Sequence, residues 1–166
     1  MFAVRPACRS DISAVDALLA RAYPRLLAKD YAADVLQRAL PVIGCAQPDL
    51  VASGTYYLIE EQGSLLGAGG WTRHAPGSSG GSTKAGLAHI RHVVVDDRAV
   101  RRGIARCLLE HIFTAARADG CMQLHCLSTL TAEPFYAAMG FAQIKPVSVD
   151  LGPDLSFPAI EMTRDF

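Results

Sequence analysis

The sequence predicts one α/β (α+β) domain on a mixed sheet, and three stretches carry that reading. Ala88–Gly120 opens with β-branched residues (Ile90, Val93, Val94, Val95), crosses a short basic turn and continues with apolar residues at Ile104, Leu108, Ile112 and Ala116, the spacing of a helix face. Cys121–Leu127 reads as another apolar strand, and a helix from about Arg102 to Ala118 has the length of the crossover that parallel pairing needs. Thr55–Glu60 and Ser64–Arg73 are strand-like runs joined by Glu61, Gln62 and Gly63, a hairpin. With 166 residues, 51% of them hydrophobic, residues 1–166 are expected to form one domain, large enough for a real core.

The remaining elements follow in order. Phe2–Cys8 is an opening strand, and Ser10 or Asp11 can cap the helix after it, whose apolar face is Ile12, Val15, Leu18, Leu19 and Ala22. Pro24 is expected to end that helix. Tyr31–Leu40 reads as a second short helix stopped by Pro41, and the passage through Gly44, Pro48 and Gly54 as loop. Gly67, Gly69 and Gly70 lack the third glycine of G-x-G-x-x-G and open no helix, so they read as a bulge or a close approach of backbone within a strand. Pro76–Gly86, rich in Gly and Ser, is expected to be a flexible loop just before the central strand, placed to order beside a site when substrate binds. Ser128–Thr131 caps a short helix carrying Tyr136, and Ala142–Val149 and Pro158–Arg164 close the fold around a turn at Gly152, Pro153 and Asp154.

Composition narrows the function. A formal net charge of zero and a pI near 6.9 argue against nucleic acid and anionic membrane as partners. No apolar run reaches the roughly 18 residues of a membrane span, and the first residues lack a leader pattern, so a soluble, cytoplasmic protein is expected. Five irregularly spaced cysteines (Cys8, Cys45, Cys107, Cys121, Cys126) read as buried thiols rather than a disulfide framework, and without a C-x-x-C pair no metal is expected.

Basic charge is local: Arg98, Arg101, Arg102 and Arg106 surround Gly103, Ile104 and Ala105 where the helix begins. The first N–H groups of a helix have no partner within it, and its aligned dipoles add positive character there, so an anion satisfies both. Gly103 lets backbone approach closely, and arginines add charge-assisted contacts, which makes this turn a candidate phosphate site. The plain alternative is a strand, turn and helix with a solvated basic end.

Two motifs tie these features to a family. Val100, Arg101, Arg102, Gly103, Ile104 and Ala105 resemble the acetyl-CoA signature of the GCN5-related N-acetyltransferases (GNAT family): Gln or Arg, two residues, Gly, one residue, Gly or Ala. Val100 departs from it where the family has a polar residue. Ala132–Phe141 resembles the family's late A-x-x-F-Y-x-x-x-G-F motif, in the right order along the chain. The resemblance implies a mostly antiparallel sheet of six or seven strands, flanked by about four helices, with two central parallel strands splayed apart.

It implies roles as well. Acetyl-CoA would lie along the backbone of Val93, Val94 and Val95 and against Arg101, Arg102, Gly103, Ile104, Ala105 and Arg106. A backbone N–H near Val94 or Val95 would meet the oxyanion, and Tyr136 would protonate the leaving thiolate. Ala88, His89 and Ile90 stand where histone-type members carry A-E-I, which nominates His89 as general base. His92 is its rival and His74 a third candidate; imidazole titrates in the right range for the task. Strand alternation points His89 and His92 oppositely, so a shared metal site is not expected. For His111 and His125 a surface or satisfied core position is expected. Tyr31, Trp71 and His74, with Tyr23 and Leu36, are possible acceptor contacts, and core packing is the competing role for Tyr23, Tyr31, Leu36 and Trp71. The implied activity is transfer of acetyl from acetyl-CoA to a primary amine, small or on a protein. The alternative is an acyl-CoA-binding or sensor module on the same fold. Symmetric dimerisation, a homodimer, is common enough to expect, but no sequence feature specifies it.

Overall fold

The computed structural model describes residues 1–78 and 83–166. Seven strands, β1 (Ala3–Pro6), β2 (Tyr56–Glu61), β3 (Ser64–Thr72), β4 (Leu87–Val95), β5 (Gln123–Thr129), β6 (Ala142–Gly152) and β7 (Leu155–Asp165), form one sheet. Their spatial order is β1-β2-β3-β4-β5-β7-β6. Every neighbouring pair is antiparallel except β4 with β5, which are joined by the long helix α4 (Ile104–Ala118) as the crossover rule requires. The other helices are α1 (Ile12–Leu26), α2 (Ala33–Ile43), α3 (Pro48–Val51) and α5 (Glu133–Ala138).

Strand alternation divides the core between the two faces of the sheet. On one face, α4 buries Ile104, Leu108, Leu109, Ile112 and Ala116 in a cluster with Ile59, Ile90, Leu124 and Met162. On the other, α1 supplies Val15, Leu18 and Leu19 and α2 supplies Leu36 and Ala39, packed with Leu58, Ala68 and Val94. Leu58 and Ile59 are consecutive and enter opposite clusters. Each such side chain is worth about 1.5–3 kcal/mol when fully buried.

Several local expectations are corrected. Pro24 and Pro41 lie inside α1 and α2 rather than ending them. Each falls in the last turn, where its fixed φ is already helical and only one hydrogen bond to the preceding turn is forfeited. The passage expected as loop contains α3, opened by Pro48 at a position that suits proline. Neither Ser10 nor Asp11 caps α1: a 3-10 turn over Arg9–Asp11 runs directly into it, and Asp11 accepts the Cys8 N–H at 2.8 Å and two bonds from the Arg5 guanidinium. Cys8 and Cys45 are exposed, being in the linkers before α1 and after α2, while Cys121 and Cys126 are buried. The loop expected over Pro76–Gly86 contains residues 79–82, which lie outside the described residues.

The glycines of β3 mark both a bulge and close backbone approach. Register with β4 shifts between Ala68 and Gly70, because Gly69 opposes two residues, His92 and Val93. A Cβ on Gly69 would lie 2.7 Å from Val93 Cγ2, and one on Gly70 only 2.3 Å from the Thr55 carbonyl oxygen and 2.7 Å from Tyr56 Cα. Backbone cannot swing aside as a side chain can. Gly70→Ala is therefore expected to lower stability by about 1–3 kcal/mol, read as a reduced midpoint in urea unfolding; an unchanged midpoint would show that β2 and β3 can separate freely.

Candidate active site

The site begins where the sheet comes apart. β4 and β5 pair only at Leu87, Ala88 and His89 with Gln123, Leu124 and His125. Beyond these residues β4 keeps β3 and β5 keeps β7, so the two parallel strands splay. Three residues past the last β4–β5 pair lies the β4 bulge, where His92 adopts φ 52°. Positive φ is costly for a residue with a Cβ, of order 1 kcal/mol, and two contacts hold it. The Tyr56 hydroxyl donates to the His92 carbonyl at 3.0 Å, and His92 Nε2 lies 2.7 Å from the Ile43 carbonyl. A carbonyl only accepts, so Nε2 carries the proton and Nδ1 is left with its lone pair.

Backbone groups in the gap follow from alternation. Asp96 N–H donates to the Leu66 carbonyl at 2.8 Å, which turns the Val94 N–H toward β3 and the Val95 N–H toward the gap. The Val94 side chain is buried among α1 and α2 residues, Val95 packs against the α4 cluster, and Val93 lines the gap.

A cavity of about 450 Å³ occupies this opening. Ile90–Val93 of β4 and Cys126–Thr129 of β5 form its walls, Tyr136 of α5 and Tyr23 of α1 lie within it, and Ile43, Gln47, Gly77 and Asp150 contribute to its rim. Tyr136 is buried, and burial raises its phenol well above the ordinary value, so it holds its proton throughout the neutral range. The Cys126 thiol is pushed up to about 12 by burial and is likewise protonated. A larger concavity of about 620 Å³ is a crease along the β6–β7 hairpin, lined only by residues between Ser148 and Ser156.

Beyond the carboxyl end of β4 the chain turns into α4. Arg101 (φ 65°) and Gly103 (φ 82°) both have positive φ, and the first helical bond is made by Cys107 to the Gly103 carbonyl, which leaves the N–H groups of Ile104, Ala105 and Arg106 without helical partners. A Cβ on Gly103 would meet nothing within 4 Å. Gly103 is thus required by its conformation, and the space over it is open to an anion. The arginines are less available than their number suggests. Arg102 pairs with Glu61 at 2.6 Å and Arg106 with Glu110 at 3.7 Å. Arg98 is bound to Asp96, which also takes Arg21 and is held at about 2 by these partners.

The other nominated residues are elsewhere. His89 does not line the cavity: its Nδ1 lies 3.3 Å from Nδ1 of His125, whose Nε2 is 2.8 Å from Glu161. His125 is therefore a satisfied histidine, and His111 packs edge-on against Tyr57. Trp71 is buried in the α4 cluster. Tyr31 stacks on Phe157 at 4.4 Å, and its hydroxyl bridges the Pro158 carbonyl and the Leu130 N–H, so it is a packing residue. His74 is outside the lining, its carbonyl accepting from Thr72. Among the described residues no group of three or more His, Cys, Asp or Glu is placed to hold a metal, and no helix is long and apolar enough to cross a membrane. The sequence reading missed Tyr56, Gln47 and Arg91. Tyr56 could not be found from local pattern, because its partner is 36 residues away; Arg91 was discoverable as a charge inside an apolar strand.

Comparison with known proteins shows the family and the fold. The acetyltransferase (GNAT) domain model matches residues 52–143, over half of the chain, and the chain belongs to that family. The fold is shared with the GCN5-related N-acetyltransferase from Rhodopseudomonas palustris, at 20% identity and a TM-score of 0.78 over 99% of this chain and 95% of that one. It is shared with PaiA N-acetyltransferase from Thermoplasma acidophilum in complex with coenzyme A (11%, TM-score 0.73, 100% and 99%). A ribosomal-protein alanine N-acetyltransferase from Escherichia coli is similar as well (16%, TM-score 0.67, 99% and 94%). No curated protein sequence matches.

The histidines make stability depend on pH. His89 is lowered to about 4, first by burial and then by His125, Arg91 and His74; His92 is lowered chiefly by burial. In the unfolded chain these groups titrate near 6.5, so the unfolded state binds more protons than the folded one between about pH 6.5 and 4. Stability is expected to be full above 6.5 and to fall through that window by roughly 2 kcal/mol for His89 after allowance for solvent screening. The Asp96 contribution is lost only at more acidic pH, below its ordinary 3.8. Denaturant titrations at stepped pH check this, with His89→Gln giving the flatter profile.

Proposed function

We propose that the protein is an acetyl-CoA-dependent N-acetyltransferase acting on a primary amine. The observation that carries the reading is the opening between β4 and β5, with Tyr136 and His92 on its wall and the Arg101–Arg106 turn beyond the end of β4. The residues fit the donor: the gap exposes strand backbone to an amide-bearing arm, and the N-terminus of α4 presents unpaired N–H groups under open space to its phosphates. Acetyl-CoA, when bound, supplies a thioester that the amine attacks directly, the N–C bond forming as the C–S bond breaks.

The chain's own groups have distinct tasks. His92, fixed as the Nε2–H tautomer, offers Nδ1 to take the proton of the amine, directly or through water. Tyr136 holds the proton that the departing sulfur needs. The Val95 N–H, turned into the gap, is the assigned donor to the oxyanion. His89, engaged with His125 and off the cavity, is not assigned the base role.

Calorimetric titration with acetyl-CoA tests the donor site. Wild type should bind, and Gly103→Glu, with its fold verified by circular dichroism, should not, because it sets bulk and negative charge over the turn. Equal binding by the variant would remove the phosphate assignment. In turnover assays on an amine panel, Tyr136→Phe and His92→Gln are each expected to lower kcat by about a hundredfold or more with little change in acetyl-CoA affinity. Binding without turnover by wild type across the panel would favour the acyl-CoA-sensing alternative.

A further inference from the structure

Arg91 is the charge that the acetyl-transfer mechanism leaves unused. It belongs to β4, one residue before the bulge, lines the cavity and is half-buried. Its guanidinium is held by neutral oxygens: Nη1 donates to Thr72 Oγ1 at 3.0 Å and Nη2 to Gln47 Oε1 at 3.1 Å. Thr72 spends its own hydroxyl proton on the His74 carbonyl, so its lone pairs face Arg91. Among the described residues no carboxylate lies within ion-pair distance of Arg91, a feature it shares with Arg9, Arg38, Arg101, Arg117 and Arg164, but Arg91 alone of these lines the cavity. Residues 79–82 are Ser, Gly, Gly and Ser and bring no acidic side chain. The acidic residue of the lining, Asp150, sits exposed on β6 and accepts the Gly152 N–H rather than Arg91.

A guanidinium withdrawn from water and bound only by neutral groups retains its charge and several unused donors. That charge is felt locally, since Arg91 contributes to the lowering of both neighbouring imidazoles. Planar donors of this kind match a carboxylate in bidentate fashion. The partners of Arg91 place it on the side of the cavity formed by β3 and the segment between α2 and α3.

We infer that the acceptor is an amine that also carries a carboxylate, a free amino acid in its simplest form, and that Arg91, steadied by Thr72 and Gln47, is the residue that selects it. This rests on the acetyl-transfer reading for its chemistry but not for its binding. Gln47 and Thr72 are positioning residues here: they aim the guanidinium and do not touch the acceptor. An amide or simple amine of the same shape would leave Arg91 buried without an anion, and the site would reject it accordingly.

Binding and turnover are measured separately. Protein saturated with coenzyme A is titrated with the proteinogenic L-amino acids, β-alanine and γ-aminobutyrate, each against its carboxamide, by calorimetry or ligand-observed NMR. At least one acid should bind about tenfold or more tightly than its amide, Arg91→Gln should erase that preference, and Arg91→Lys should keep part of it, with coenzyme A affinity within about twofold of wild type in both variants. No acid outbinding its amide, or a preference that survives in Arg91→Gln, overturns the assignment; the wild-type acid-to-amide comparison decides even if a variant fails to fold. If acids bind through Arg91 and no acetyl group moves, the carboxylate site stands and the acetyl-transfer reading falls. If amides and simple amines are acetylated as readily as acids, the transfer reading stands and the role of Arg91 falls.

Discussion

One residue too many in β4 shapes most of the candidate site. Opposite Gly69 the strand carries both His92 and Val93, so its pairing with β3 resumes out of step, and this falls in the half of the strand that is no longer paired with β5. A sheet that stayed paired would bury these backbone groups in its ladder and leave no room between the strands. The bulge exists because three features meet there. Gly69 and Gly70 have no Cβ to clash with Val93 or with the Thr55 carbonyl, Tyr56 reaches through the α1 side of the core to bond the His92 carbonyl, and the end of α2 offers Ile43 to the imidazole. The strain of a positive φ at His92 is thus offset by contacts from three other elements, and the same contacts fix the tautomer of the ring.

The positive charge divides into spent and unspent parts. After β4, Asp96 and Asp97 gather Arg21, Arg25 and Arg98 from two elements, which ties α1 to the turn that leads into α4. Arg102 is drawn to Glu61 at the β2–β3 hairpin. The proposed donor site at this turn therefore rests mainly on backbone N–H groups, and the valine at position 100, where a polar side chain would sit in the GNAT signature, would be a modest loss to it. Arg91 is the contrasting case. It is enclosed by neutral oxygens and lies beside two imidazoles that burial already disfavours as cations. A carboxylate arriving there would relieve the burial of the guanidinium and ease the field at His92 together, which links recognition of the acceptor to the basicity of the group proposed to deprotonate it.

What was readable in the chain was what depends on neighbours in sequence. The apolar period of α4, the β-branched run of β4, the β2–β3 hairpin and the crossover to a parallel β5 follow from spacing alone, and so does the glycine turn before α4, because Gly103 sits where a helix must begin. The bulge or close approach was also legible as glycines in a strand. Which of two histidines faced the cavity was not. Strict alternation separates His89 from His92, but the bulge resets the facing of every residue after it, and the sequence carries no mark of where the extra residue falls.

The order of strands and helices, the family motifs and the glycine turn that opens α4 were legible in the chain, since periodicity, helix starts and glycine requirements are local properties. The convergence of distant parts of the fold placed Tyr31 and Trp71 in the core, engaged His89 with His125 while holding His92 to Ile43 over a span of 49 residues, and set Arg91 in the cavity with no acidic partner among the described residues. Those outcomes depend on which distant side chains and carbonyls arrive at a given point. Burial, hydrogen-bond partnership and the charge state that follows from them are set by that convergence rather than by any stretch of the chain.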